Sequence, residues 1–234
     1  MKKILFFVLS GFVFTVGSLQ KKLNYLGFYR NRLLRTYPLF LFFLALGIAF
    51  YPENFSFIAL AKSLLFMAND AKAIDGGAFT FVFWSIAVEW HFYLAFPVLL
   101  FALQRWGWKV LPFLILCFIL LRVAAYVQEA DMRKVTYWTI LGRMDQFLLG
   151  MLAGVYYGKK FAASRAMDYL AVAGVGLVLV FLYGFNQLGG GGANNYLWIF
   201  WPTLEATVWG IFLLGYLSAA RHFNKHISNA LVAL

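Results

Sequence analysis

The 234-residue chain is 63% hydrophobic and 21% aromatic, has only 12% charged residues and a mean hydropathy of +0.77. No soluble domain of that length could bury so much apolar surface, so the composition excludes one and indicates a polytopic helical membrane protein. The net charge of +11 does not indicate nucleic acid, because the basic residues stand in short clusters between apolar runs, as in membrane-protein loops.

Apolar runs lie at about 4–19, 37–51, 79–103, 110–127, 138–158, 167–185 and 196–219. They predict an all-α membrane bundle of about seven full spans. Assigning the intervening loops alternately to two sides puts twelve Lys and Arg on one side and six on the other. The positive-inside rule makes the richer side cytoplasmic, with the segment bearing Arg30, Arg32 and Arg35, and places Met1 outside. Met1-Lys2-Lys3 before Ile4–Val16 imitates a secretory signal peptide, yet lysines at positions 2 and 3 oppose an outside start. A further helix before residue 1 would remove that conflict. At the other end, the apolar run from Ile227 to Leu234 is too short to span, so both ends are expected to be clipped.

In the first run, Ser10 and Gly11 read as small close-packing residues. Arg32 and Arg35 share a face of a helical start, with Pro38 near the first turn of the next span. They form either a positive-inside anchor or an anion site, since planar guanidiniums grip phosphate in a fork. Residues 52–78 are less apolar, and Phe55–Met67 within them reads as an interfacial or half-inserted helix.

The central run carries Glu89, and a carboxylate at membrane depth costs on the order of 2.5 kcal/mol unless it faces a bundle interior. Ser85, Glu89, Phe92 and Phe96 share one face, with Tyr93 beside them. Glu89 is therefore either functional or a hydrogen-bonded packing residue. His91 is the one histidine within a span but points about 200° away from Glu89. Arg105, Trp106 and Trp108 close the run as an interfacial belt.

Arg122 sits near the outer end of its run and is expected to snorkel to the interface. Arg143, Phe147, Gly150 and Gly154 fall on one face, and Gly150 with Gly154 would admit a neighbouring helix closely. Arg143 and Asp145, toward the outer side, suit an acceptor or a structural pairing alike. Gly189–Gly192 reads as a connector. Glu205, beside Trp201, Pro202 and Trp209, is a further intramembrane acid. His222 and His226 are spaced i,i+4 without a third ligand, and Cys117 stands alone, so neither a metal site nor a disulfide is expected.

Several stretches carry a resemblance. Residues 84–97, W-S-I-A-V-E-W-H-F-Y-L-A-F-P, resemble the W-S-L-x-x-E-x-x-F-Y-x-x-x-P signature of the membrane acyltransferase-3 family. Residues 6–12, F-F-V-L-S-G-F, resemble the element opening that family's second transmembrane helix. Arg32-x-x-Arg35 before Pro38 resembles its loop motif linked to the acyl-CoA donor, and Arg143-x-x-x-Phe147-x-x-Gly150 resembles a further helix start.

The resemblance implies one partial acyltransferase-3-like domain over 1–234, without the helix that bears the family's histidine base. It implies an integral membrane O-acyltransferase moving an acyl group, acetyl first among candidates, from cytoplasmic acyl-CoA to a hydroxyl of a surface or exported glycan. Arg30, Arg32 and Arg35 would hold the donor. Glu89 would orient the acceptor or the base, with Tyr93 and Trp84 shaping the pocket and His91 a weak substitute base. Trp84, Ser85, Arg143, Asp145 and Glu205 would face the acceptor. The implied partners are the bilayer and a glycan or lipid-linked saccharide, in a bacterial inner membrane, with no nucleic acid and no metal. The competing readings are an inactive, truncated relative and a transporter with the same acids along its path. A transporter should show inverted repeats or matched broken helices, and the sequence has none evident.

Overall fold

In a computed structural model, residues 4–19, 24–67, 75–81, 83–160, 164–188 and 195–220 are described. Among them the chain is helical without a strand: α1 (Ile4–Ser18), α2 (Tyr25–Phe50), α3 (Phe57–Leu64), α4 (Phe83–Trp106), α5 (Val110–Val127), α6 (Met132–Trp138), α7 (Met144–Lys160), α8 (Arg165–Gln187) and α9 (Leu197–Ala219). The two ends and the Gly189–Gly192, His222 and His226 readings lie outside the described residues.

Among the described residues, five segments are long and apolar enough to cross a membrane: α2, α4 with the turn before it (Gly77–Trp106), α5, α8 and α9. The expected runs at 4–19 and 138–158 instead give the 15-residue α1 and the 17-residue α7. At 1.5 Å per residue α7 reaches about 26 Å, short of the ~30 Å hydrocarbon core. α3, with eight residues, is the short helix expected in the less apolar segment.

One boundary differs in a way that matters. Arg30, Arg32 and Arg35 stand on α2 itself and not on a loop, because the helix starts twelve residues before the apolar run. Asn24 is the cause: its side-chain oxygen accepts from the Gly27 amide at 3.0 Å and caps the first turn. Pro38 then lies inside the helix, not at its start. The Thr36 hydroxyl donates to the Arg32 carbonyl at 2.9 Å, one turn back.

The core is aromatic. Phe147 of α7 stacks on Phe92 of α4 (centroids 4.0 Å, planes 14° apart) and lies 4.9 Å from Phe7 of α1. This layer ties the three helices together. α1 and α7 approach until their backbones nearly touch. A Cβ at Gly11 would strike the Phe147 carbonyl, and one at Gly150 would strike that of Val8. The small residues thus do close helix–helix work, and the neighbour admitted by Gly150 is α1.

Arg122 does not snorkel. It is fully buried, with Nη2 2.8 Å from Asp145 of α7 and 2.7 Å from Thr203 of α9, and Thr203 also donates to Asp145. A carboxylate on a neighbouring helix holds the guanidinium inside and outweighs its pull toward the interface.

Candidate functional site

A cavity of about 650 Å³ opens between α1, α2 and α4. α2 gives it a continuous stripe at helical spacing: Phe28, Arg32, Arg35, Thr36, Leu39, Phe40 and Phe43. α4 contributes Phe83, Ile86, Glu89 and Tyr93, and α1 closes the third side with Leu9, Ser10, Val13 and Phe14 among others. Arg30, two residues from Arg32 and so about 200° around the helix, is exposed away from it.

Glu89 is 9% exposed and accepts a hydrogen bond from the Tyr93 hydroxyl one turn later. Arg32 lies flat among rings, its Cζ 4.7 Å from the Phe14 centroid and 5.8 Å from those of Phe28 and Tyr93. Such cation–π stacking helps hold the guanidinium plane in place. Its Nε is buried with no hydrogen-bond partner among the described residues. Arg35, one turn on, is exposed at the cavity's edge. Trp90 fixes α4 against α2: its Nε1 donates to Thr36 Oγ1 at 3.0 Å, and its ring stacks on Phe66 at 4.2 Å.

The site therefore has two guanidiniums at one end, a carboxylate–phenol pair in the middle and aromatic walls beyond. Cations with donors in a fork suit phosphate, and a carboxylate beside a hydroxyl suits the handling of an alcohol proton.

The remaining sequence candidates stand elsewhere. Trp84 is buried against Tyr137 and Trp138, with centroids at 4.8 and 5.0 Å. Ser85 is half-buried one turn before Glu89 and does not line the cavity. His91 is half-buried on the side of α4 that carries exposed Leu94, and its Nδ1 has no hydrogen-bond partner among the described residues. Arg143 is 2% exposed, donates from Nε to the Tyr137 carbonyl at 3.2 Å and stacks on the Tyr137 ring at 4.8 Å. Asp145 is held by Arg122 and Thr203, and Glu205 is buried on α9 beside the Ile4, Val8 and Ala206 cluster. Among the described residues no three His, Cys, Asp or Glu side chains gather to hold a metal.

Sequence reasoning missed Thr36 and Phe14, and it read Ser10 as packing when Ser10 in fact lines the cavity. Thr36 was findable, one turn after Arg32 and one before Phe40 on the same face. Phe14 belongs to the site only through the way α1 packs.

A family model for an acyltransferase domain, acyltransferase-3, matches residues 4–234. A Haemophilus influenzae protein described as uncharacterized is 26% identical over 213 residues, covering 78% of this chain and 87% of that protein. No solved structure matches the chain.

Proposed function

The chain belongs to the acyltransferase-3 family, and on that premise we propose that it moves an acyl group from cytoplasmic acyl-CoA to a hydroxyl of a surface or exported glycan. The observation that supports this most is the meeting of Arg32 and Arg35 with Glu89 and Tyr93 in one cavity. The arginines bind the phosphates of the donor. Glu89, with Tyr93 donating to it, orients the acceptor hydroxyl or a base acting on it. The hydroxyl oxygen bonds the thioester carbonyl carbon, the carbon–sulfur bond breaks, and the hydroxyl proton ends on the CoA thiol. Trapping that proton in the transition state is worth about 10²–10⁴ in rate. The membrane is a bacterial inner membrane, with the arginine end of the cavity toward the cytoplasm, where CoA is made.

The test is thiol release from acetyl-CoA by membranes carrying the protein, with envelope glycan as acceptor. Parent membranes should release CoA in a glycan-dependent way, and Glu89→Gln membranes should not. Glycan-independent release, equal in both, would remove the assignment of acyl transfer to this cavity.

A further inference from the structure

Behind the cavity, the end of α3 adopts a backbone that its sequence does not favour. After Leu65 the helix closes with the Phe66 amide donating to the Ser63 carbonyl at 3.2 Å and the Met67 amide to that of Lys62 at 2.8 Å. In such a closing turn the residue after the cap is left-handed, and the place normally falls to glycine. Here it is Phe66, at φ +57°. A bulky side chain in that region costs backbone energy and persists only where its surroundings hold it.

Those surroundings are the two helices that carry the site. The Phe66 ring lies flat on Trp90 of α4, 4.2 Å away with planes 13° apart, and T-shaped against Tyr37 of α2 at 5.1 Å. The Tyr37 hydroxyl donates to the Leu64 carbonyl at 2.6 Å, so the same turn also grips α2 directly. None of Tyr37, Phe66 and Trp90 lines the cavity. Yet Trp90 Nε1 donates at 3.0 Å to Thr36, which does line it, and the Thr36 hydroxyl donates at 2.9 Å to the Arg32 carbonyl. The stack fixes the indole, the indole fixes Thr36, and Thr36 fixes the turn of α2 that carries Arg32. The same indole backs Tyr93, 5.5 Å away, whose ring faces the Arg32 guanidinium.

We propose that Phe66 is a positioning residue for the anion site: through Trp90 and Thr36 it holds Arg32 where it grips donor phosphate. The inference rests on the donor reading above and adds to it a residue outside the cavity. The ring carries this role, since the turn itself would form more readily with glycine.

The experiment titrates CoA against purified protein in lipid nanodiscs, using the parent, Phe66→Gly, Phe66→Tyr, Trp90→Phe and the double variant Phe66→Gly with Trp90→Phe. Glycine suits the left-handed backbone, so Phe66→Gly removes the ring and leaves the helix end in shape. Its CoA affinity should fall about three- to tenfold, as expected for the loss of one stacked aromatic pair, and Phe66→Tyr should restore the parent value. Trp90→Phe keeps a ring beside Phe66 but offers Thr36 no N–H, and should bind CoA as weakly as Phe66→Gly. Adding Phe66→Gly to Trp90→Phe should then cost nothing further, because the route to Arg32 is already cut. If Phe66→Gly does not fold, Phe66→Leu, with bulk but no flat face, takes its place in the same comparison. Parent affinity in the ring-less variant overturns the inference. Losses that multiply in the double variant also overturn it, since Phe66 then packs without acting through Thr36. CoA that does not bind the parent overturns the donor reading and this inference together.

Discussion

Glu89 and Asp145 are both acids in apolar helices, and the bundle treats them in opposite ways. Asp145 is fully buried, tied to Arg122 on α5 and Thr203 on α9. Both of these hydrogen-bond partners come from other helices, so the carboxylate joins α5, α7 and α9. Glu89 has as its hydrogen-bond partner Tyr93 of its own helix, and the pair faces a cavity with Arg32 and Arg35 across it. An acid in a membrane protein marks a function only when its partners leave it something to do; partnered across helices, it is a rivet.

That contrast is broken or sharpened by substitution. The largest effect should come from Glu89→Gln, which keeps the shape and removes the charge. Transfer should fall by about 10²–10⁴ while the amount of folded protein, read by fluorescence-detected size exclusion, stays at the parent level. Asp145→Ala should do the reverse. It leaves Arg122 charged and buried without its acid, a loss of about 3–5 kcal/mol in stability. The yield of folded protein should drop, while transfer per folded molecule holds. A loss of transfer per molecule equal to that of Glu89→Gln would erase the distinction between the two acids.

Smaller effects probe the frame around each acid. Gly150→Val puts carbon where the Val8 carbonyl lies and should push α1 off α7, costing about 1–3 kcal/mol by thermal unfolding in detergent. Because α1 carries Phe14 to Arg32, this variant should weaken donor binding as well as stability. Arg35→Ala should raise the KM for acyl-CoA about tenfold with kcat near the parent value, as expected for a charged hydrogen bond to phosphate. His91→Ala should change transfer least, under about twofold, since His91 lies about 200° around α4 from Glu89. A large loss there would make His91 the base and move the chemistry out of the cavity.

How much of this was legible beforehand follows from where each contact is made. Glu89 and Tyr93 sit four residues apart on one helix, so their pairing needed only the helical period. The packing role of Gly150 was legible for the same reason, though not the identity of its neighbour α1. The start of α2 was placed too late because the apolar run begins only at about 37; Asn24, a good helix cap three residues before Gly27, was the overlooked sign. The meeting of Arg32 with Tyr93 and the ion pair of Arg122 with Asp145 join residues distant in sequence, and no periodicity within one helix encodes them. Arg122 misled for a plain physical reason. A long side chain near the end of an apolar run can reach the interface, and only a partner on another helix holds it inside.

The central claim is that the cavity holding Arg32, Arg35, Glu89 and Tyr93 is where acyl groups pass to a glycan hydroxyl. The most direct measurement is the alkali-labile acyl ester content of envelope glycans, by mass spectrometry, in cells expressing the parent or Glu89→Gln at matched membrane levels. The account predicts esters with the parent that fall to the empty-vector level with Glu89→Gln. Equal ester content in parent and Glu89→Gln cells, above that of the vector, would contradict it.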